Sequence, residues 1–322
     1  MFLLGAVLAI GPAQAESPSP PTQPEAGPGG QSYTYGRTLA TGYGEGDERY
    51  WIIEPDRAVD EALPVVLFAH GMGLTSHSAY RSWIQHLVRR GNIVIYPTYH
   101  TGGIVDPRTF TDNTAKATRE ALKRCDGKKH RLADIDRFTM VGHSLGGTII
   151  ANLAARPKHF GLPRPGALML LQPGDTRADK GIGALFPKIT EDHGTIPKGT
   201  LMLIVDVEND YFVSPKAGQR IYDNAGQIDL GDKRRLLLRS DHHGGQPIIA
   251  DHMLPMAWTT SQTSQGRVNA YDYALWKWLD ALQSTAQGDD AHRELVFGEA
   301  ALDVGRWSDG TPVRRPVEPS VK

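Results

Sequence analysis

A serine with glycine two residues away on either side, Gly142-His143-Ser144-Leu145-Gly146, is where residue types and spacing point most directly to chemistry. A serine hydroxyl is a poor nucleophile at neutral pH. It works when it is held out of regular structure beside a base and beside backbone N–H donors. A strand that turns sharply into a helix supplies that geometry, and the crowded turn leaves no room for a Cβ two residues before and two after the serine. The apolar run 138–141 leads into the pentad, the helix-compatible stretch 148–155 follows it, and Gly147 allows that helix to approach the sheet closely. The whole reads as a nucleophile elbow. Serine as an ordinary helix N-cap would not require the glycine on each side.

A second signal lies upstream. Residues 65–69, Val-Val-Leu-Phe-Ala, are a continuous apolar run of the kind that forms a strand buried on both faces. They end in the glycine-rich loop His70-Gly71-Met72-Gly73.

With both motifs in place, the chain resembles the α/β-hydrolase superfamily over about residues 33–282, in particular secreted serine carboxylesterases, lipases and dienelactone-hydrolase-like enzymes. The resemblance implies a doubly wound, mostly parallel α/β sheet with a small cap or lid insertion. It implies a triad in the chain order serine, acid, histidine. It also implies an oxyanion hole from the N–H after the nucleophile, Leu145, and one from the His-Gly-x-Gly loop, which by position is Met72. No metal or organic cofactor is called for.

The acid should follow a late strand. Residues 201–205 are such a strand, and the loop after them carries Asp206, Glu208, Asn209 and Asp210 before Tyr211-Phe212-Val213-Ser214-Pro215. The family position, just before an apolar residue and a proline, matches Asp210; Asp206 is the alternate, with a strand-end or loop-backbone hydrogen bond as its structural role. The base should follow the last strand, 235–239, where Ser240-Asp241-His242-His243-Gly244 supplies two imidazoles. His243 is the expected base because Gly244 lets its loop turn inward, with His242 as the alternate. One ring nitrogen would face Asp210 and the other would accept the Ser144 proton.

Other reactive side chains read as structural. His70 precedes the donor position and is expected to hydrogen-bond loop backbone, and His143 to pack beside the nucleophile. Asp241, His242, His243, Asp251 and His252 could be viewed as metal ligands, but their spacing fits no signature. The single cysteine, Cys125, forms no intramolecular disulfide and lies at the end of an expected helix, about 109–123, as a buried or semi-buried spectator.

Composition sets the class. The 322 residues are 40% hydrophobic with a net charge of −1, and no basic run suggests nucleic acid or an anionic membrane. Residues 1–15 combine an apolar stretch with Ala13-Gln14-Ala15 and resemble a signal peptide without the usual basic start, so the protein is expected to be secreted or periplasmic, with no membrane span in the mature chain. Residues 16–32, rich in proline and glycine, are expected to be a disordered linker. The remaining stretch, 33–322, is long enough for one α/β domain.

Strand and helix signals alternate as a doubly wound sheet requires: strand 51–54, strand 65–69, helix 79–90, strand 93–96, helix 109–123, the elbow strand and its helix, then strand 167–171. Asn224-Ala225-Gly226 is a helix stop. Residues 271–282 form a closing helix whose Trp276 and Trp278 face the sheet. Residues 174–198 lack periodicity and are expected to be a lid or rim; Leu185 and Phe186, with Tyr211 and Phe212, are candidates to line an apolar pocket. Residues 284–322 form a C-terminal extension. The expected activity is hydrolysis of a small-molecule or lipid-like carboxylic ester through an acyl-enzyme. An acyltransferase with the same triad, and a catalytically silent binding protein on this fold, are the alternatives.

Overall fold

The computed structural model describes residues 17–57, 59–101, 106–174, 192–256 and 270–319. Their strands are β1 Thr38–Tyr43, β2 Tyr50–Pro55, β3 Leu63–Ala69, β4 Ile93–Pro97, β5 Ala133–His143, β6 Ala167–Leu171, β7 Leu201–Val207 and β8 Lys233–Leu238. They form one sheet in the order β1-β2-β4-β3-β5-β6-β7-β8. Strand β2 runs antiparallel to both its neighbours, and every pairing from β4 to β8 is parallel. The helices are α1 Arg81–Arg89, α2 Phe110–Arg124, α3 Leu145–Ala155, α4 Pro157–Phe160, α5 Lys216–Asn224, α6 Ala270–Ala286 and α7 Glu294–Phe297. This is the mostly parallel α/β architecture of the α/β-hydrolase fold.

The apolar runs are continuous because the sheet is covered on both sides. Val66 and Phe68 of β3 pack in one layer with Trp83 and Leu87 of α1 and with Trp278 of α6. Val65, Leu67 and Ala69 belong to the opposite layer with Phe110 of α2, Ile149 of α3 and Ile221 of α5. Successive side chains of a strand point to opposite faces, so a strand with a helix on each face must be apolar at every position. Helix α3 shows the same logic: all its residues are buried, and it carries no charge.

Strand β3 has β4 on one side and β5 on the other. Chain connections diverge there, which opens a crevice beyond the carboxyl ends of the strands, where ligands bind in open α/β sheets. The His70–Gly73 loop leaves β3 and Ser144 leaves β5 at this crevice.

The proline- and glycine-rich segment is not the disordered linker its composition suggests. Gly29 N–H donates to Asp280 Oδ2 at 2.8 Å, and Gln23 Nε2 donates to Gly29 O and to Tyr33 Oη. Ser19 exchanges hydrogen bonds with Ser308. Gly29 has φ +77°, and a Cβ there would lie 2.9 Å from the backbone of Lys277 in α6. The missing side chain at Gly29 lets the strap fit against α6 where a bulkier residue would not, and the strap's prolines have little conformational freedom to lose. The C-terminal extension also packs: Trp307 and Val313 are buried in the core, and Val317 bridges to Leu237 on the otherwise open edge of β8.

Cys125 caps the end of α2 and is buried, with its thiol pushed up to about 12 by desolvation. The signal-peptide reading and Leu185 and Phe186 lie outside the described residues, as does most of the expected lid; 193–195 form a single 3-10 turn. No described helix is long and apolar enough to cross a membrane.

Candidate active site

Ser144 sits between β5 and α3 with φ +55° and ψ −120°, a conformation an L-residue adopts only when its surroundings impose it. The surroundings do so from both sides. Ser144 N–H donates to Leu171 O at 2.8 Å, and Ser144 O accepts from Gly147 and Gly174 N–H. A Cβ at Gly142 would lie 2.3 Å from Gly146 O, and one at Gly146 would lie 2.1 Å from Ala69 O. Both obstacles are backbone atoms, one in the first turn of α3 and one at the carboxyl end of β3, so they cannot swing aside as a side chain could. Gly146→Ala is therefore expected to abolish the native elbow, seen as loss of soluble folded protein or a sharp fall in Tm; a variant melting like wild type would contradict this packing.

The histidine beside Ser144 is His252, and neither His242 nor His243. His252 Nε2 is 3.0 Å from Ser144 Oγ, and its Nδ1 is 2.8 Å from Asp210 Oδ2. A carboxylate only accepts, so Nδ1 carries the hydrogen and Nε2 is left to accept from the serine hydroxyl. Asp210 is held in turn by its other oxygen, which accepts from Phe212 and Val213 N–H at 2.8 and 2.9 Å. The expectation for the base is thus corrected. His243 Nε2 pairs with Asp309 Oδ2 at 2.8 Å in the C-terminal extension, and His242 is exposed.

The reason lies in how the chain leaves β8. Asp241 and Ile248 exchange two backbone hydrogen bonds of 2.9 Å, closing residues 242–247 into an excursion that returns to its starting point. Asn209 N–H then donates to Ala250 O, and Asn209 bridges to Asp251, which sets His252 opposite Asp210. The sequence signal was the second apolar patch, Ile248-Ile249-Ala250, which marks a return to the sheet end before Asp251-His252. The same path sends the carboxylates and imidazoles after β8 in different directions: Asp241 accepts from Trp307 Nε1 and Arg314 N–H, while His243 and His252 turn to different carboxylates.

Asp206, the alternate acid, points elsewhere. It is buried against Arg235 of β8, with Oδ2 2.7 Å from Nε, so it neither caps the strand end nor reaches His252. Burial raises its pKa, Arg235 opposes that, and the net value is about 6. Arg235 also donates to Pro215 O and to Gln219, tying the loop that carries Asp210 to α5.

The loop after β3 abuts the elbow, since a Cβ on Gly146 would also lie 2.6 Å from His70 O. Gly71 N–H donates to Tyr80 Oη and Gly73 N–H to His100 Nε2, whereas the N–H groups of Met72 and Leu145 donate to none of the described residues. His70 is structural, as its position suggests: its ring nitrogens lie 2.6 and 2.9 Å from Gly71 O and Thr98 O. Around the mouth, Tyr211 and Phe212 are 86% and 69% exposed, and the Phe212 ring lies 5.1 Å from that of His252.

Buried His70 and His143 make the fold acid-sensitive. Desolvation lowers the pKa of His70 to about 4 and that of His143 well below its ordinary value. An unfolded histidine binds its proton near pH ~6.5. The unfolded chain therefore takes up more protons below that point, and the contribution of these groups is lost as pH falls from about 6.5 toward about 4. Tm should drop on acidification from about pH 7 to about pH 5; a Tm that rises over that window would contradict the assignment.

The model of the chlorophyllase family, an α/β-hydrolase-like family, matches residues 48–189. That stretch includes Met72, Ser144 and Leu145 and ends before Asp210 and His252. No curated protein matches the chain.

Proposed function

We propose that this chain, an ester hydrolase of the α/β-hydrolase type similar to chlorophyllases over residues 48–189, cleaves carboxylic esters with Ser144 as nucleophile, His252 as general base and Asp210 as its orienting acid. The observation that carries the reading is the unbroken line from Asp210 through His252 to Ser144, with hydrogen bonds of 2.8 and 3.0 Å.

His252 Nε2 takes the hydroxyl proton as Ser144 Oγ attacks the ester carbonyl carbon, and Asp210 holds the resulting imidazolium. The negative oxygen of the tetrahedral intermediate is received by the N–H groups of Met72 and Leu145, the two donors beside the elbow that no described residue occupies. Collapse expels the alcohol, protonated by His252. Water then attacks the acyl-enzyme with His252 again as base, releasing the acid and restoring the serine.

The rim points to the substrate. Exposed Tyr211 and Phe212, the latter with its ring against that of His252, and the exposed Met72 side chain on the loop after β3 offer apolar surface to whatever part of the ester extends from the cleft. A small-molecule ester with a sizeable apolar acyl or alcohol group fits that rim.

The test is covalent labelling. A fluorophosphonate incubated with the folded protein is expected to add one adduct, mapped by mass spectrometry to Ser144 and lost in Ser144→Ala. An unlabelled wild-type protein, or an adduct on another residue, overturns the reading.

A further inference from the structure

His143 stands inside the elbow yet contacts neither Ser144 Oγ nor Asp210. Its Nε2 lies 2.8 Å from the backbone carbonyl oxygen of His252, and its Nδ1 lies 2.8 Å from Tyr80 Oη. Tyr80 Oη lies 2.9 Å from Gly71 N. A carbonyl only accepts and a backbone N–H only donates, so every proton in this line has one possible place. Gly71 N–H donates to Tyr80 Oη, the Tyr80 hydroxyl donates to His143 Nδ1, and His143 Nε2–H donates to His252 O. The His143 and His252 rings also pack together, with centroids 4.8 Å apart.

We propose, on the reading above of Ser144 and His252 as nucleophile and base, that Tyr80 and His143 are positioning residues that hold the base-bearing loop and the oxyanion loop in register with the elbow.

Three elements distant in sequence meet at this line: the loop after β3, the elbow after β5 and the loop that follows β8. At the first of them, the peptide joining His70 to Gly71 is clamped at both ends. Its carbonyl accepts from Tyr99 Oη at 2.5 Å, and its N–H is held by Tyr80. The next N–H along the chain is that of Met72. At the other end, His252 is gripped by its own carbonyl rather than by its ring, which leaves both ring nitrogens to Asp210 and Ser144. Burial keeps His143 neutral, so a single N–H faces the His252 carbonyl, and no second cation stands beside His252 when it takes the serine proton. Catalytic groups lose rate steeply when displaced by an ångström or less, so a device that sets their mutual placement acts on turnover more than on substrate affinity.

Three variants test this in the full chain. Tyr80→Phe leaves the ring against Phe68 and Tyr96 and removes only the hydroxyl. His143→Phe removes both hydrogen bonds. His143→Gln restores a donor and an acceptor on one side chain. The measured quantity is kcat per serine titrated with fluorophosphonate, together with KM, on a short-chain p-nitrophenyl ester. A purely structural role would reduce the number of titratable sites and leave the turnover of each unchanged.

Tyr80→Phe and His143→Phe are expected to lower kcat per titrated site about tenfold or more with KM nearly unchanged, and His143→Gln to recover most of the loss. Because both act in one line, combining Tyr80→Phe with His143→Phe should cost little more than His143→Phe alone. If His143→Phe does not fold, Tyr80→Phe decides. Turnover per site within about twofold of wild type in folded Tyr80→Phe overturns the proposal. Failure of the triad reading would look different, since the wild-type protein itself would then carry no label at Ser144.

Discussion

His252→Ala is expected to reduce ester turnover by about three or more orders of magnitude, while His243→Ala leaves it close to wild type. The two histidines are nine residues apart in sequence and have different partners. His252 spans Asp210 and Ser144, so its loss leaves the serine hydroxyl without a group to take its proton. His243 pairs with Asp309 at the surface, where the histidine pulls the carboxyl down to about 2, and makes no hydrogen bond to Ser144. Purified variants assayed on a p-nitrophenyl ester, with folding checked by circular dichroism, give the answer. The opposite ranking would place the base in the excursion after β8 and remove His252 from the chemistry.

Asp210→Asn should be comparably damaging, with a loss of about four orders of magnitude in kcat. One oxygen of Asp210 accepts from two backbone N–H groups, so the oxygen of an asparagine would stay there and its NH2 would face His252. Both His252 Nδ1 and the amide would then offer hydrogens. The ring would relieve the clash by moving its proton to Nε2, where it could no longer accept from Ser144. Folding should be preserved, because the asparagine matches the aspartate in shape. Asp206→Asn makes the contrast: it weakens a buried pair with Arg235 that ties β7 to β8, so the effect belongs in Tm and not in turnover per titrated serine. Equal turnover losses in the two variants would contradict the assignment of Asp210.

How the site came to be readable follows from which of its parts are local. The elbow is dictated within five residues: Ser144 can hold φ +55° only if residues 142 and 146 lack a Cβ, and those glycines are visible in the chain itself. Asp210 was legible for a related reason, since its hydrogen bonds to Phe212 and Val213 are made inside its own turn. Strands β3, β4, β6 and β7 declared themselves as apolar runs because both faces of the sheet are covered there, whereas the half-exposed edge strand β1, Thr38–Tyr43, carries no such run and gave no signal. In each case the physical cause lies within a few residues of the effect.

His252 had no such local cause. Its position depends on Asp241 pairing with Ile248 and on Asn209 meeting Ala250 and Asp251, contacts between segments that no spacing rule relates. Adjacency to the last strand favoured His243, and only the closed excursion shows that 242–247 leave the line of the sheet and rejoin it. Composition does not foretell the docking of the strap, described from residue 17, for a similar reason: it tells what the segment cannot bury by itself, whereas Asp280 and the bare backbone of Gly29 against α6 decide that it docks. The amino-acid order by itself determined the central strands, the elbow and the turn that holds Asp210, because steric and hydrogen-bonding demands over a few residues leave few solutions. Which imidazole reaches the serine, and what holds it there, was decided by tertiary structure, because those contacts join loops more than one hundred residues apart.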